Sequence, residues 1–300
     1  MAEDNIHSKT GHYEFTAEAF HCDFNHRLFM GQLGNHLLNA ADFHSAARGF
    51  GMPYLNPRHK TWVLSRLAIV VDSMPLQYSR FCVETWIESV ARYFSVRGFR
   101  VLDSQSGATL GHARSIWAMI DTGTRQPVSV VDACGEAIGK YIDEGHISPV
   151  GRLSRVRMTD GAEKIGIHDI KYSDLDVNGH VNSIKYIEHL LDIFDIGWYQ
   201  AHDIKRIDIA YVAESHKGDR LTFYKEQTAD GEFSIRITKT EKGEGGSPAT
   251  EEKEVCRCKV TFKDIGKQHR RHVAGASIYA NGGIPGRQTG NQRIINQSNT

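Results

Sequence analysis

Asp176, Asn178 and His180 stand at alternate positions just before a run in which Val181, Ile184, Ile187, Leu190, Leu191 and Phe194 recur at helical spacing. A carboxylate, an amide and an imidazole are thus gathered at a helix entrance, where backbone N–H groups lack intrahelical partners and Asp or Asn can cap them. The same free donors, together with the helix dipole, favour negative charge and suit the polarisation of a carbonyl. An imidazole that titrates near neutral pH adds proton transfer. On residue types alone two readings stand: a capped helix start, or a catalytic loop directed at a carbonyl.

The elements that must position this loop follow from periodicity. A short strand is expected over 13–22 and an amphipathic helix over 31–47, with Leu33, Leu37, Leu38, Ala41 and Ala46 turned inward. Strand-like runs rich in β-branched and aromatic residues cover 61–71, 81–89, 92–102 and 108–120, the last two joined by the turn Asp103-Ser-Gln-Ser-Gly107. The pattern weakens over 121–160, where a short helix is expected at 133–141. A strand at 164–170, a helix at 181–200 and strands at 205–212, 220–228, 232–240 and 252–262 repeat the plan, with the glycine-rich stretch 242–248 as a wide turn. A helix followed by an antiparallel meander, twice over, is an α+β layout.

The repetition is also visible residue by residue. Asn35-His-Leu-Leu-Asn-Ala-Ala-Asp42 superposes on Glu188-His-Leu-Leu-Asp-Ile-Phe-Asp195 at an offset of 153, which also carries Asp176 onto Asp23 and Asn178 onto Asn25. His180 falls on Arg27, and arginine does not act as a base at neutral pH. The second copy is therefore expected to hold the chemistry. The chain divides into an extension (1–12), a first repeat (13–124), a linker (125–162), a second repeat (163–265) and a tail (266–300).

Composition narrows the class. The chain has 300 residues, 40% hydrophobic and 24% charged, with a formal net charge of zero, so nothing attracts it to nucleic acid or to an anionic surface. No apolar run reaches membrane-spanning length, and the first residues lack the blocks of a secretion or transit signal, so a cytoplasmic location is expected. Five cysteines, never spaced Cys-x-x-Cys, argue against a disulfide framework or a zinc knuckle. Cys256 and Cys258 alternate within a strand and so share a face. The tail holds five Lys or Arg and no acid, which leaves −5 for residues 1–265 of a chain whose net charge is zero. Its low apolar content reads as a solvated, disordered segment, with a basic arm that helps dock an acidic protein as the alternative.

The run Asp-Val-Asn-x-His-Val-Asn-x-x-Lys-Tyr-Ile from Asp176 to Ile187 resembles the signature of the acyl-ACP thioesterases of plants and bacteria. So do Trp62-Val-Leu-Ser-Arg66 with Val70-Val-Asp72, Val83-Glu-Thr-Trp86, Gly107-x-x-Leu110 with Ala113-x-Ser-x-Trp117-x-Met119, and Thr124-Arg125, in the family's order. The resemblance covers roughly residues 13–264 and implies a tandem, or double, hotdog, in which each curved antiparallel sheet wraps a long helix. It implies hydrolysis of fatty acyl-ACP with release of free fatty acid, and no metal or organic cofactor. Asp176, Asn178 and His180 become catalytic residues, joined by an acid on a later strand; Glu214, in Tyr211-Val-Ala-Glu-Ser215, matches that position. Many plant members carry cysteine after this acid, whereas Ser215 stands here, which argues against a thiolate nucleophile.

Within that reading, Asp176 or Glu214 attacks the thioester directly or activates water, Asn178 orients, His180 passes protons, and backbone N–H groups of residues 181–183 hold the oxyanion. A serine–histidine pair from Ser215 and His216 is poor geometry, because neighbours on a strand face opposite ways. Trp62, Trp86, Trp117 and Met119, with Phe94, are bulky enough to line an acyl tunnel. Acyl carrier protein, the expected partner, is acidic, so Arg152, Arg155 and Arg157 are candidates for docking it. A second copy is allowed as a homodimer. The competing readings are an acyl-CoA thioesterase of the same fold and a catalytically silent acyl-binding protein.

Overall fold

The polarity alternation of the strands closes one antiparallel sheet of ten, described in a computed structural model that covers residues 7–153, 156–159, 161–241 and 251–265. The first half contributes β1 (Gly11–Thr16), α1 (Met30–Ala47), α2 (Met52–Leu55), β2 (Lys60–Val71), β3 (Arg80–Val90), β4 (Phe94–Asp103) and β5 (Thr109–Asp121). After α3 (Val130–Cys134) come β6 (Glu163–Asp169), α4 (Ser183–Leu191), α5 (Ile196–Ala201), β7 (His202–Tyr211), β8 (Arg220–Ala229), β9 (Glu232–Thr240) and β10 (Lys253–Asp264).

The strand order β1-β3-β4-β5-β2-β7-β10-β9-β8-β6 reads as one half-sheet followed by its mirror, joined where β2 pairs with β7. Each half wraps around one helix, α1 or α4, the tandem hotdog arrangement. The offset of 153 holds in three dimensions: α1 and α4 begin 153 residues apart, as do the 3-10 turns Ala19–His21 and Tyr172–Asp174 and the bridges Cys22↔Leu28 and Leu175↔Val181.

The two helices meet through small residues. A Cβ added at Gly34 would lie 2.7 Å from Ile184 Cδ1, and one at Gly31 would lie 2.6 Å from Glu188 Cγ. Leu33 and Leu37 of α1 and Ile184, Ile187 and Leu190 of α4 are almost fully buried against the inner face of the sheet, where Ile69, Ile207, Ile209 and Ile235 meet them. A buried side chain of this size contributes about 1.5–3 kcal/mol, so this shared layer dominates the cohesion of the two halves. Cys256 and Cys258 both face it, fully buried, and burial pushes their thiols well above the ordinary range.

Several expectations need correction: Ala46 of α1 is exposed, and the helix expected at 133–141 divides at Gly135 into α3 and a 3-10 turn, Glu136–Tyr141. The strand expected over 13–22 ends at Thr16, and a 3-10 turn follows. The helix expected over 181–200 breaks after Leu191, because the Asp195 carboxylate accepts from the Trp198 N–H at 2.8 Å and caps a new helix, α5. Apolar periodicity continues through Ile193 and Phe194, which pack against the core without being helical. The wide turn at 242–248, the tail 266–300 and Arg155 lie outside the described residues. Among the described residues no helix is long and apolar enough to cross a membrane.

Candidate active site

The loop between the 3-10 turn and α4 is built by Asp176. Its Oδ1 accepts the N–H groups of Asn178 at 2.8 Å and His180 at 3.1 Å, while its own N–H donates to the His180 carbonyl at 2.8 Å. Closing so tight a turn requires a positive φ at Gly179, +77°, which glycine adopts without steric cost. The helix cap is Asn182, whose Oδ1 accepts the Ile184 N–H at 2.8 Å; such a cap contributes about 1 kcal/mol. Asp176 and Asn178 therefore shape the loop and do not cap the helix.

Behind the loop, buried Asp174 accepts from His168 Nε2 at 2.7 Å, His189 Nε2 at 2.8 Å and the Lys171 N–H at 2.7 Å. Burial pushes its carboxyl up, and these donors more than offset that and hold it below the ordinary value. Its backbone carbonyl accepts the Asn182 N–H at 2.8 Å, so one carboxylate ties β6, α4 and the loop together.

Glu214, three residues beyond β7, comes to this loop from the other side. His180 Nδ1 lies 3.5 Å from Glu214 Oε1, and the same oxygen accepts from Arg125, which the turn after β5 presents in a left-handed conformation (φ +60°). The His216 ring stands edge-on to His180 with centroids 4.7 Å apart. His180, Glu214 and Asp176 all line one cavity of about 1340 Å³, whose walls include Leu64, Ile87 and Tyr186. An acid and an imidazole at the edge of a largely apolar space are suited to proton transfer on a long-chain substrate.

Among the described residues two clusters have metal-compatible donor sets: His180, Glu214 and His216, and His168, Asp174 and His189. In the first, the Arg125 guanidinium already neutralises the Glu214 oxygen a cation would need. In the second, both imidazoles donate to Asp174. Both arrangements favour proton and hydrogen-bond roles over a metal.

The structure narrows the oxyanion donors expected at residues 181–183. The Val181 N–H donates to the Ser215 carbonyl at 2.9 Å and the Asn182 N–H to Asp174, so both are spent. Ser183, first residue of α4, keeps a backbone N–H without a protein partner among the described residues, and it lines the cavity. Ser215 is fully buried and its Oγ has no hydrogen-bond partner among the described residues, His216 included, so the two form no nucleophilic pair.

Of the expected tunnel residues, Trp62 and Trp117 line the cavity, held by hydrogen bonds to the Phe50 carbonyl at 3.0 Å and Ser115 Oγ at 2.7 Å. Trp86 and Met119 do not. Ile87 lines the cavity, so strand alternation sends Trp86 to the outer face, where it stacks on His146 at 3.6 Å. Met119 is sealed beneath α2 and α3 with Phe50 and Leu55. Phe94 is exposed at the start of β4 and is not part of the lining. Arg152 and Arg157 are exposed on a linker whose carbonyls are taken by Arg114, Arg206 and Arg257 of the outer face, so they too lie away from the cavity lining. Arg125 was missed as a functional residue, although it stands in the Thr124-Arg125 pair quoted for the resemblance.

The sequence matches the family model of the acyl-ACP thioesterase N-terminal domain over residues 9–138 and that of the C-terminal domain over residues 159–273. The crystal structure of an acyl-ACP thioesterase from Bacteroides thetaiotaomicron is 47% identical, with a TM-score of 0.73, covering 85% of this chain and 98% of that one. The 12:0-ACP thioesterase from Umbellularia californica, 20% identical, has the same fold at a TM-score of 0.74, over 87% of this chain and all of that one. A chloroplastic palmitoyl-acyl carrier protein thioesterase from Gossypium hirsutum is 27% identical over 191 residues, 61% of this chain and 46% of that protein. The chain spans about half the length of the curated relatives it matches.

Proposed function

This chain belongs to the acyl-ACP thioesterase family, and on that premise we propose that it hydrolyses the thioester joining a fatty acyl chain to acyl carrier protein, releasing the free acid. The observation that carries this reading is the pairing of His180 Nδ1 with Glu214 Oε1 at the wall of a cavity large enough for a long chain.

In the proposed reaction Glu214, oriented by Arg125, accepts the proton of a water held between it and His180. The water oxygen adds to the thioester carbonyl, and the Ser183 N–H at the positive end of α4 receives the developing oxyanion. Collapse breaks the C–S bond, and the thiolate of the carrier takes a proton relayed through His180. Asp176 acts by holding the loop, since one of its oxygens is already engaged by two backbone donors. Asn178, exposed at the tip of that loop and lining the cavity, orients water or substrate through its amide.

The test is release of free acid by the purified full chain from acyl carrier protein substrates of eight to eighteen carbons, beside the matching acyl-CoA series. Faster release from the carrier protein is expected. Preference for acyl-CoA would reassign the carrier, and binding without release from either would make the protein a silent acyl binder.

A further inference from the structure

The cavity is not apolar throughout. Arg97 of β4 is only 4% exposed, and what it faces includes this cavity. Its guanidinium donates to Thr85 Oγ1 at 3.3 Å and Ser45 Oγ at 2.9 Å, and among the described residues no carboxylate lies within ion-pairing distance. A guanidinium has five N–H donors and no acceptor, so two hydroxyls leave it under-satisfied. Burial first, and Arg48 second, hold its pKa down to about 9, which marks how little compensating charge surrounds it. Half-buried Asp42 of α1 lines the same space, and burial pushes its carboxyl up while Arg97 pulls it down. Asn39 and Ser95 add further polar groups.

A plain hydrocarbon tail offers none of these groups a partner, and buried donors left unpaired are costly. A carboxylate would suit Arg97 but would meet Asp42, and an amine the reverse. A hydroxyl accepts from Arg97 and donates to Asp42. Arg97 pairs across the sheet with Ser115, Ser115 with Leu67 and Leu67 with Ile209, which puts it three strand spacings, about 14 Å, from β7, the strand that leads to Glu214. The polar group belongs well down the chain, away from the thioester.

Resting on the function proposed above, we propose that this end of the cavity binds a hydroxyl carried on the acyl chain, held between Arg97 and Asp42, so that hydroxylated chains are preferred over plain chains of equal length. The experiment compares kcat/KM of the full chain on 12-hydroxyoctadecanoyl- against octadecanoyl-carrier protein, and on 16-hydroxyhexadecanoyl- against hexadecanoyl-carrier protein. At least one hydroxylated substrate is expected to lead its plain partner by about tenfold or more, and Arg97→Met should bring that ratio to within about twofold of unity. Equal rates on both members of both pairs, or a ratio that survives Arg97→Met, would overturn the proposal; so would a variant that loses both substrates in proportion, the mark of a strut between α1 and β4. If Arg97→Met does not fold, as judged by circular dichroism, Asp42→Leu reads the same ratio from the other side of the cavity. Failure to hydrolyse any substrate defeats the function itself, whereas hydrolysis without preference defeats only this inference.

Discussion

Arg27 occupies in the first half of the chain the backbone position that His180 occupies in the second. Asp23 Oδ1 accepts the Asn25 N–H at 2.8 Å and the Arg27 N–H at 3.0 Å, matching the pair that Asp176 accepts from Asn178 and His180. His26 takes the left-handed position of Gly179, with φ of +57° against +77°. Arg27 bridges to Leu76 as His180 bridges to His216, which sets Met74 where the second half has Glu214. The scaffold is present twice and the acid–imidazole pair once; Arg27 instead binds Asp203 at 2.5 Å.

His180→Ala is therefore expected to lower kcat by about a hundredfold or more, with no rescue from the first loop. Glu214→Gln should do the same, and the double variant should be little worse than either single one, because the two groups act as a unit. Steady-state rates on one acyl carrier substrate check this, and near-normal turnover of either single variant would remove its residue from the mechanism.

Asp176 separates a shaping role from a basic one. Asparagine keeps a side-chain oxygen for the two loop N–H groups, so Asp176→Asn should retain most of kcat, whereas Asp176→Ala should lose about tenfold or more as the loop opens. Equal and severe losses in both would instead make the carboxylate charge itself essential.

Arg125→Met removes the cation that orients Glu214, and kcat should fall by about tenfold while the circular dichroism spectrum stays unchanged. Arg125→Lys should restore little, since an ammonium does not reproduce the fixed fork of a guanidinium. Full activity in Arg125→Met would show that Glu214 holds its place unaided.

His44 predicts a pH dependence of stability. It is fully buried, and burial, followed by the charges of Arg97 and Arg48, lowers its pKa to about 2. Between that value and the unfolded value of about 6.5, the unfolded chain binds a proton that the folded chain does not. Stability contributed by neutral His44 is thus complete above about pH 6.5 and declines as pH falls, by up to about 1.4 kcal/mol per pH unit. Urea titrations between pH 7 and pH 4 should show a shallower decline in His44→Gln than in the natural sequence.

Gly98→Ala should destabilise by about 1–3 kcal/mol, the usual cost of overpacking. A Cβ there would lie 2.4 Å from the Trp86 ring, which cannot yield because it is stacked on His146. Thermal unfolding measures the loss, and an unchanged Tm would mean that the pair separates at little cost.

Much of this was written locally. Eight of the nine strands from 60 to 264 fall within about two residues of where alternation sets them, and the loop–helix unit at Asp176–Ile187 carries its turn, cap and glycine in one stretch. Asp195 was a legible cap signal overridden, in the reading, by apolar residues that pack without being helical.

What a single chain order determines is which residues alternate, which recur at helical spacing, and therefore that Trp86 and Ile87 face opposite ways. It does not determine by itself which of those faces meets the cavity, because both sides of β3 are buried, including Glu84 and Glu88 on the side of Trp86. Nor does it reveal that the Val181 and Asn182 donors are spent, that Arg125 reaches Glu214 across 89 positions, or that Arg97 is left with hydroxyls for company. Periodicity is a property of neighbours along the backbone, whereas the availability of a donor or the pairing of a charge depends on groups that only folding brings within a few ångströms.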